Sequence, residues 1–160
     1  MNKKELQRYF IYLNKLMPRY EKSIWIKEYD KLVKRKNTIV KLMRKYNYDD
    51  MIKKVAHFYD VDIKKIDKID VAFYPISYGN NINAYRIKNL ETIGVLVNKK
   101  QNLKWLLSAT ILHEISHTLY FHSKMAKKNF NFKNKSKKSN VVESMATAIG
   151  AGWGYKQITG

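Results

Sequence analysis

Residues 103–122 read Leu-Lys-Trp-Leu-Leu-Ser-Ala-Thr-Ile-Leu-His-Glu-Ile-Ser-His-Thr-Leu-Tyr-Phe-His, and the string His113-Glu114-Ile115-Ser116-His117 inside them decides how the chain is read. Four residues of an α-helix advance ~400°, so His113 and His117 stand about one turn apart on one face and can reach a single ion. Glu114 lies about 100° around the same turn, where a carboxylate can take a proton from a water activated by that ion. The surrounding residues Leu103, Trp105, Leu106, Leu107, Ala109, Ile111, Leu112, Ile115, Leu119 and Phe121 are apolar on nearly all sides, which predicts a buried helix. Two imidazoles and a carboxylate are costly in such a helix unless something pairs with them. A zinc ion satisfies that need. The competing explanations are a chance pattern or a hydrogen-bonded pair of core histidines.

A catalytic zinc site takes three protein ligands and keeps one position open, so a third ligand is required. His57 is far upstream, and His122, five residues past His117, is turned ~140° off the ligand face. The extended three-histidine pattern asks for Gly at 120 and His at 123, where this chain has Tyr120 and Ser123. Glu143 is the only acidic residue after Glu114 and opens the segment Glu143-Ser-Met-Ala-Thr-Ala-Ile-Gly-Ala, whose small side chains let one helix pack closely on another. The plainer alternative for Glu143 is a solvated carboxylate near a helix N-terminus, favoured there by the macrodipole.

The layout of HExxH, about 25 residues, then Glu in a helix of small residues resembles the gluzincin metallopeptidases. Within them the chain is most similar to the ImmA/IrrE type, regulatory peptidases of bacteria and mobile elements that cleave repressor proteins. The segments Met51 to Asp60, Ile69 to Ile76, Asn83 to Lys88 and Thr92 to Val97 follow that family's order of helix, short strands and edge strand before the active-site helix. The resemblance covers about residues 50 to 152. It implies zinc held by His113, His117 and Glu143, with Glu114 as general base. The family usually carries Gly before the second His and Ala after the ligand Glu, where this chain has Ser116 and Ser144.

Upstream, Leu6, Tyr9, Phe10, Leu13, Leu16 and Met17 recur at helical spacing, and Pro18 is expected to stop that helix. Further helices are expected from Tyr20 to Arg35 and from Thr38 to Tyr46, with Asp49 or Asp50 capping a fourth. Ile69, Val71 and Phe73 alternate with Asp70, Ala72 and Tyr74 as a strand, and Gly79-Asn80-Asn81 signals a turn. At 160 residues and 45% hydrophobic content the chain suits one domain: a basic helical extension over 1–54 and a catalytic part over 55–160. The fold class expected is α+β, zincin-like, with about three strands, the zinc helix beneath them and a C-terminal helix bringing Glu143. Substrate is expected along Thr92 to Val97 as an edge strand. Tyr120, one turn beyond His117, or Tyr155 can donate to the developing oxyanion, although twelve tyrosines along the chain make packing roles the simpler assignment.

There is no cysteine, which removes disulfides and thiolate metal sites. The charged start, Met1 to Arg8, lacks an apolar core of a secretory signal, and Trp105 to Phe121 falls short of the ~18 residues of a membrane span, so a cytoplasmic protein without membrane contact is expected. Charge is the remaining signal. The net of +19 is concentrated at the helical start and in Lys124 to Ser139, which holds seven lysines, no acid, and Phe130 and Phe132. With the N-terminal helices, that stretch can hold nucleic acid or an acidic protein beside the protein or peptide substrate, or it is a solvated connector.

Overall fold

The computed structural model describes residues 3–66, 69–75, 84–87, 92–97, 101–128 and 135–160. The turn expected at Gly79-Asn80-Asn81 and the middle of the Lys124 to Ser139 stretch lie outside the described residues. The protein is α+β and mostly helical.

The chain opens with α1 (Lys3–Tyr20), a π-type segment of wider turns (Glu21–Trp25) and α2 (Ile26–Lys45). Pro18 does not end the first helix; it stands inside it, and the two helices expected over 20–46 are parts of one continuous rod. Pro18 removes its own N–H from the ladder and crowds the carbonyl four residues before it, yet the helix runs on, and a segment of wider turns follows at Glu21–Trp25. The rod ends where Asn47 adopts φ 48°, a left-handed conformation that Asn tolerates better than most residues. Asp49 and Asp50 then lie in the first turn of α3 (Tyr48–Phe58), so they favour its dipole but do not cap it. The far end of α3 closes with Asp60 at φ 53°, its N–H on His57 O at 3.0 Å and Val61 N–H on Ala56 O at 2.9 Å. That is a Schellman ending with Asp where Gly is usual.

Three strands follow: β1 (Asp70–Pro75), β2 (Ala84–Ile87) and β3 (Thr92–Val97), in the order β1-β3-β2. β1 runs parallel to β3 and β2 antiparallel to it, with Phe73 opposite Val95 and Ala84 also opposite Val95. Ile69, Val71 and Phe73 turn to the core as their alternation predicts. The Thr92 to Val97 strand is central, not an edge as expected, and Ile93, Gly94 and Val95 are accordingly buried in succession. Among the described strands, the edges of the sheet belong to β1 and β2.

The rod that carries His113 and His117 begins at α4 (Leu103–Trp105), where the Asn102 side chain accepts from the N–H groups of Lys104 and Trp105 at 3.0 and 3.3 Å. It passes through a second π-type segment (Leu106–Leu112) into α5 (His113–His122). Leu106, Leu107, Ile111, Leu112 and Leu119 are fully buried against α3 and the sheet. Ser123 ends the rod: its Oγ donates to Tyr120 O at 2.6 Å and accepts from Ala126 N–H at 3.0 Å. So the position where a third histidine would stand in the extended pattern is a buried helix stop. Short α6 (Lys124–Lys128), then α7 (Lys135–Thr147), a third π-type segment (Ala148–Gly154) and α8 (Tyr155–Thr159) complete the order. The described ends of the lysine-rich stretch are therefore helical, a correction to the open loop expected there.

Candidate metal centre

Two helices supply three donors to one point. His113 and His117, four residues apart on α5, bring their Nε2 atoms to 3.1 Å of each other. Glu143 on α7 places Oε1 3.1 Å from His113 Nε2 and Oε2 3.2 Å from His117 Nε2. The imidazoles stand edge to face, with centroids 4.7 Å apart, and are mostly covered, at 14% and 16% side-chain exposure against 61% for Glu143. The carboxylate thus approaches from the open side.

This arrangement fits a small cation better than it fits hydrogen bonding alone. Two nitrogens bound to one tetrahedral zinc at ~2.0–2.1 Å lie about 3.3 Å apart, close to the separation found here. Without an ion, one Nε2 must donate to the other or both must crowd their protons toward one carboxylate. A cation satisfies all three lone pairs at once. Among the described residues, His113, His117 and Glu143 are the group of donors that converges closely enough to hold a metal, and His57 and His122 are exposed elsewhere.

Close approach of the two helices depends on glycine. A Cβ placed on Gly150 would meet Ser108 O at 2.8 Å and His113 Cβ at 3.0 Å, and one on Gly154 would meet Leu112 Cδ2 at 2.5 Å. Gly150 and Gly154, spaced by four in the continuation of the Glu143 helix, therefore let it rest on the stretch from Ser108 to His113. The segment read in the sequence ended before Gly154, although the four-residue spacing was the signal for it. Gly150→Val is expected to hold the helices apart and weaken zinc affinity at least tenfold, with a stability loss of about 1–3 kcal/mol. Zinc titration and thermal melts of the variant check this.

Two tyrosines that no local pattern singles out hold α5 and the π-type segment before it. Tyr59, at the end of α3, shares a 2.9 Å hydrogen bond with Ser116 Oγ between the two histidines. Ser116 is thus a buried anchor that fixes the rotation of α5 against the end of α3. Burial pushes the Tyr59 phenol above the usual tyrosine range, partly opposed by its bond to Ser116. Tyr48 donates to Leu107 O at 2.6 Å within the wide-turn segment, and complete burial pushes its phenol well up, so it remains a neutral donor.

The remaining expected site residues are placed as follows. Glu114 is half-buried on α5, next to His113. Tyr120 is 2% exposed, its ring edge-on to Tyr59 at 5.8 Å and to Phe121 at the same distance. Tyr155 is half-buried, edge-on to Trp105 at 5.3 Å. Aromatic packing accounts for both tyrosines. No family model, curated protein or solved structure matches this chain.

Proposed function

We propose that the chain is a zinc-dependent peptidase. The observation that carries this reading is the meeting of His113 Nε2, His117 Nε2 and the Glu143 carboxylate within 3.2 Å on two closely packed helices, next to Glu114. Two His and one Glu are the ligand set of catalytic rather than structural zinc. Zinc held there supplies Lewis acidity, polarising a peptide carbonyl and lowering the pKa of water from 15.7 toward ~7. Glu114 is the general base: it accepts the proton of the attacking water and returns it to the departing amine. Tyr59 and Gly150 act behind the ligands, the first by fixing the turn of α5 through Ser116 and the second by admitting the Glu143 helix. We assign no proton transfer to Tyr120 or Tyr155, whose rings are engaged in packing.

Because Thr92–Val97 is the central strand, an extended protein or peptide substrate is assigned to the β2 edge, the sheet edge that neighbours α5. Metal analysis together with cleavage profiling of the wild type against a Glu114 variant tests the whole reading.

The charge favours a second reading, a zincin scaffold that binds nucleic acid or an acidic partner without turnover. Net charge of +19 sustains strong, salt-dependent attraction to polyanions. The two readings separate by experiment. Changing Lys127, Lys128, Lys133, Lys135, Lys137 and Lys138 to Ser is expected to leave zinc content and cleavage of a short neutral peptide within about threefold, because no ligand or base is touched. Binding to DNA, RNA or an acidic protein at low salt should fall ~10-fold or more. Undiminished polyanion binding would mean that the lysine-rich stretch is only a solvated connector.

A further inference from the structure

Among the described residues, the rod formed by α1, the first π-type segment and α2 packs on the core through α2 alone. Ile39 is fully buried, and Leu32, Leu42 and Met43 pack on the core. Along α1 apolar side chains face water instead: Ile11 and Tyr12 are exposed singly on other sides, and gathered on one face Phe10 is 56% exposed, Leu16 44%, Met17 54% and Tyr20 37%. With half-buried Leu13 they occupy an arc of about 120° on the helix. Their order is that of a coiled-coil seam. Within α1, Leu6, Phe10, Leu13, Met17 and Tyr20 alternate by four and three residues through about two heptads, the period at which two helices supercoil.

The charges identify the occupant. Within α1 the positions flanking the seam are Gln7, Tyr9, Asn14 and Leu16, so no charge borders it. Arg8, Lys15 and Arg19, all exposed, lie roughly 180–220° around the helix from the seam's centre, on its outer face. Two copies of α1 can therefore meet along the seam with their cations pointing apart, despite the chain's large net charge. An anionic membrane is served badly by the same layout, since a helix lying in the interface draws attraction from cations that border its apolar face. An acidic partner helix is served badly too, because its charges would meet neutral flanks.

We propose that α1 is a dimerisation helix that pairs with α1 of a second copy of this chain through Phe10, Leu13, Met17 and Tyr20. This goes beyond the peptidase reading and does not depend on it. Each copy keeps its own His113, His117 and Glu143, and the helices hold two bodies on one short coiled coil.

Sedimentation of the full chain over a wide concentration range should show a monomer–dimer equilibrium. Leu13→Lys together with Met17→Lys should weaken association ~100-fold or more, because like charges would face each other across the seam. Helical content and zinc uptake should not change, since the arc is remote from the core. The absence of native cysteine allows an independent measurement. Single replacements Leu13→Cys, Met17→Cys and Lys15→Cys are oxidised and run without reductant. At least one seam position should give a disulfide dimer and Lys15→Cys should not, as the bond needs Cα atoms within about 7 Å. A chain that stays monomeric at all concentrations overturns the proposal. So does a dimer indifferent to the seam lysines, or a monomer whose α1 binds anionic vesicles in a seam-dependent way.

Discussion

Replacing Glu114 by Gln is expected to slow peptide cleavage by ~100-fold or more while zinc content and thermal stability stay at wild-type values. The amide keeps the size of the carboxylate and most of its hydrogen-bonding capacity, but it cannot accept and return a proton. Glu114 is outside the trio that converges on the metal point, so its replacement leaves the donor set of His113, His117 and Glu143 whole. The loss should appear in kcat and kcat/KM alike, the pattern of an interaction made only in the transition state. Cleavage at wild-type rate in Glu114→Gln would remove the peptidase mechanism. A zinc-loaded protein that cleaves nothing in either form, yet binds polyanions strongly at low salt, would favour the scaffold reading.

What was legible in the sequence follows from the range of the forces involved. The helix carrying the two histidines declares itself because His113, Glu114 and His117 lie within about one turn of each other, and helical phase alone puts both imidazoles on one face. Glu143 was reachable by elimination and by the small residues after it, and Gly150 gives that composition its physical cause, a contact in which a Cβ would touch His113. The alternation through Ile69, Val71 and Phe73 is a local signal and predicts the core face of β1 correctly. Strand order is not local. Whether Thr92–Val97 is an edge depends on which strand pairs with each of its sides, and the antiparallel partner Ala84–Ile87 carries no mark of that choice. Pro18 misled for the reverse reason: the rule against proline in helices is local, whereas the rod it interrupts runs on to an end anchored by Ile39 in the core. The wide-turn segments and the Tyr59–Ser116 bond leave no periodic signature, because each is decided by packing between distant elements.

Glu143→Ala is expected to weaken zinc affinity by ~100-fold or more, since even groups that only orient metal ligands are worth ~10–100-fold. Stability provides a second readout that separates loss of a ligand from loss of fold. Glu143 is 61% exposed, so in metal-free protein its truncation should change stability by no more than about 0.5 kcal/mol. Zinc at about 100 times its dissociation constant stabilises the folded wild type by ~2.7 kcal/mol through mass action. For a chain of this length that corresponds to a rise of roughly 5–10 °C in melting temperature. The metal-free Glu143→Ala and wild-type proteins should therefore melt together, and at that zinc concentration only the wild type should gain the rise. Glu143→Asp, which keeps the charge but shortens the reach by one methylene, should fall between them. If Glu143→Ala gains the same rise as the wild type, the third ligand lies elsewhere, and the 3.1 and 3.2 Å contacts of Glu143 with the two histidines are only an ion pair. If neither protein gains from zinc, the three donors do not form a zinc site, and the peptidase reading loses its foundation.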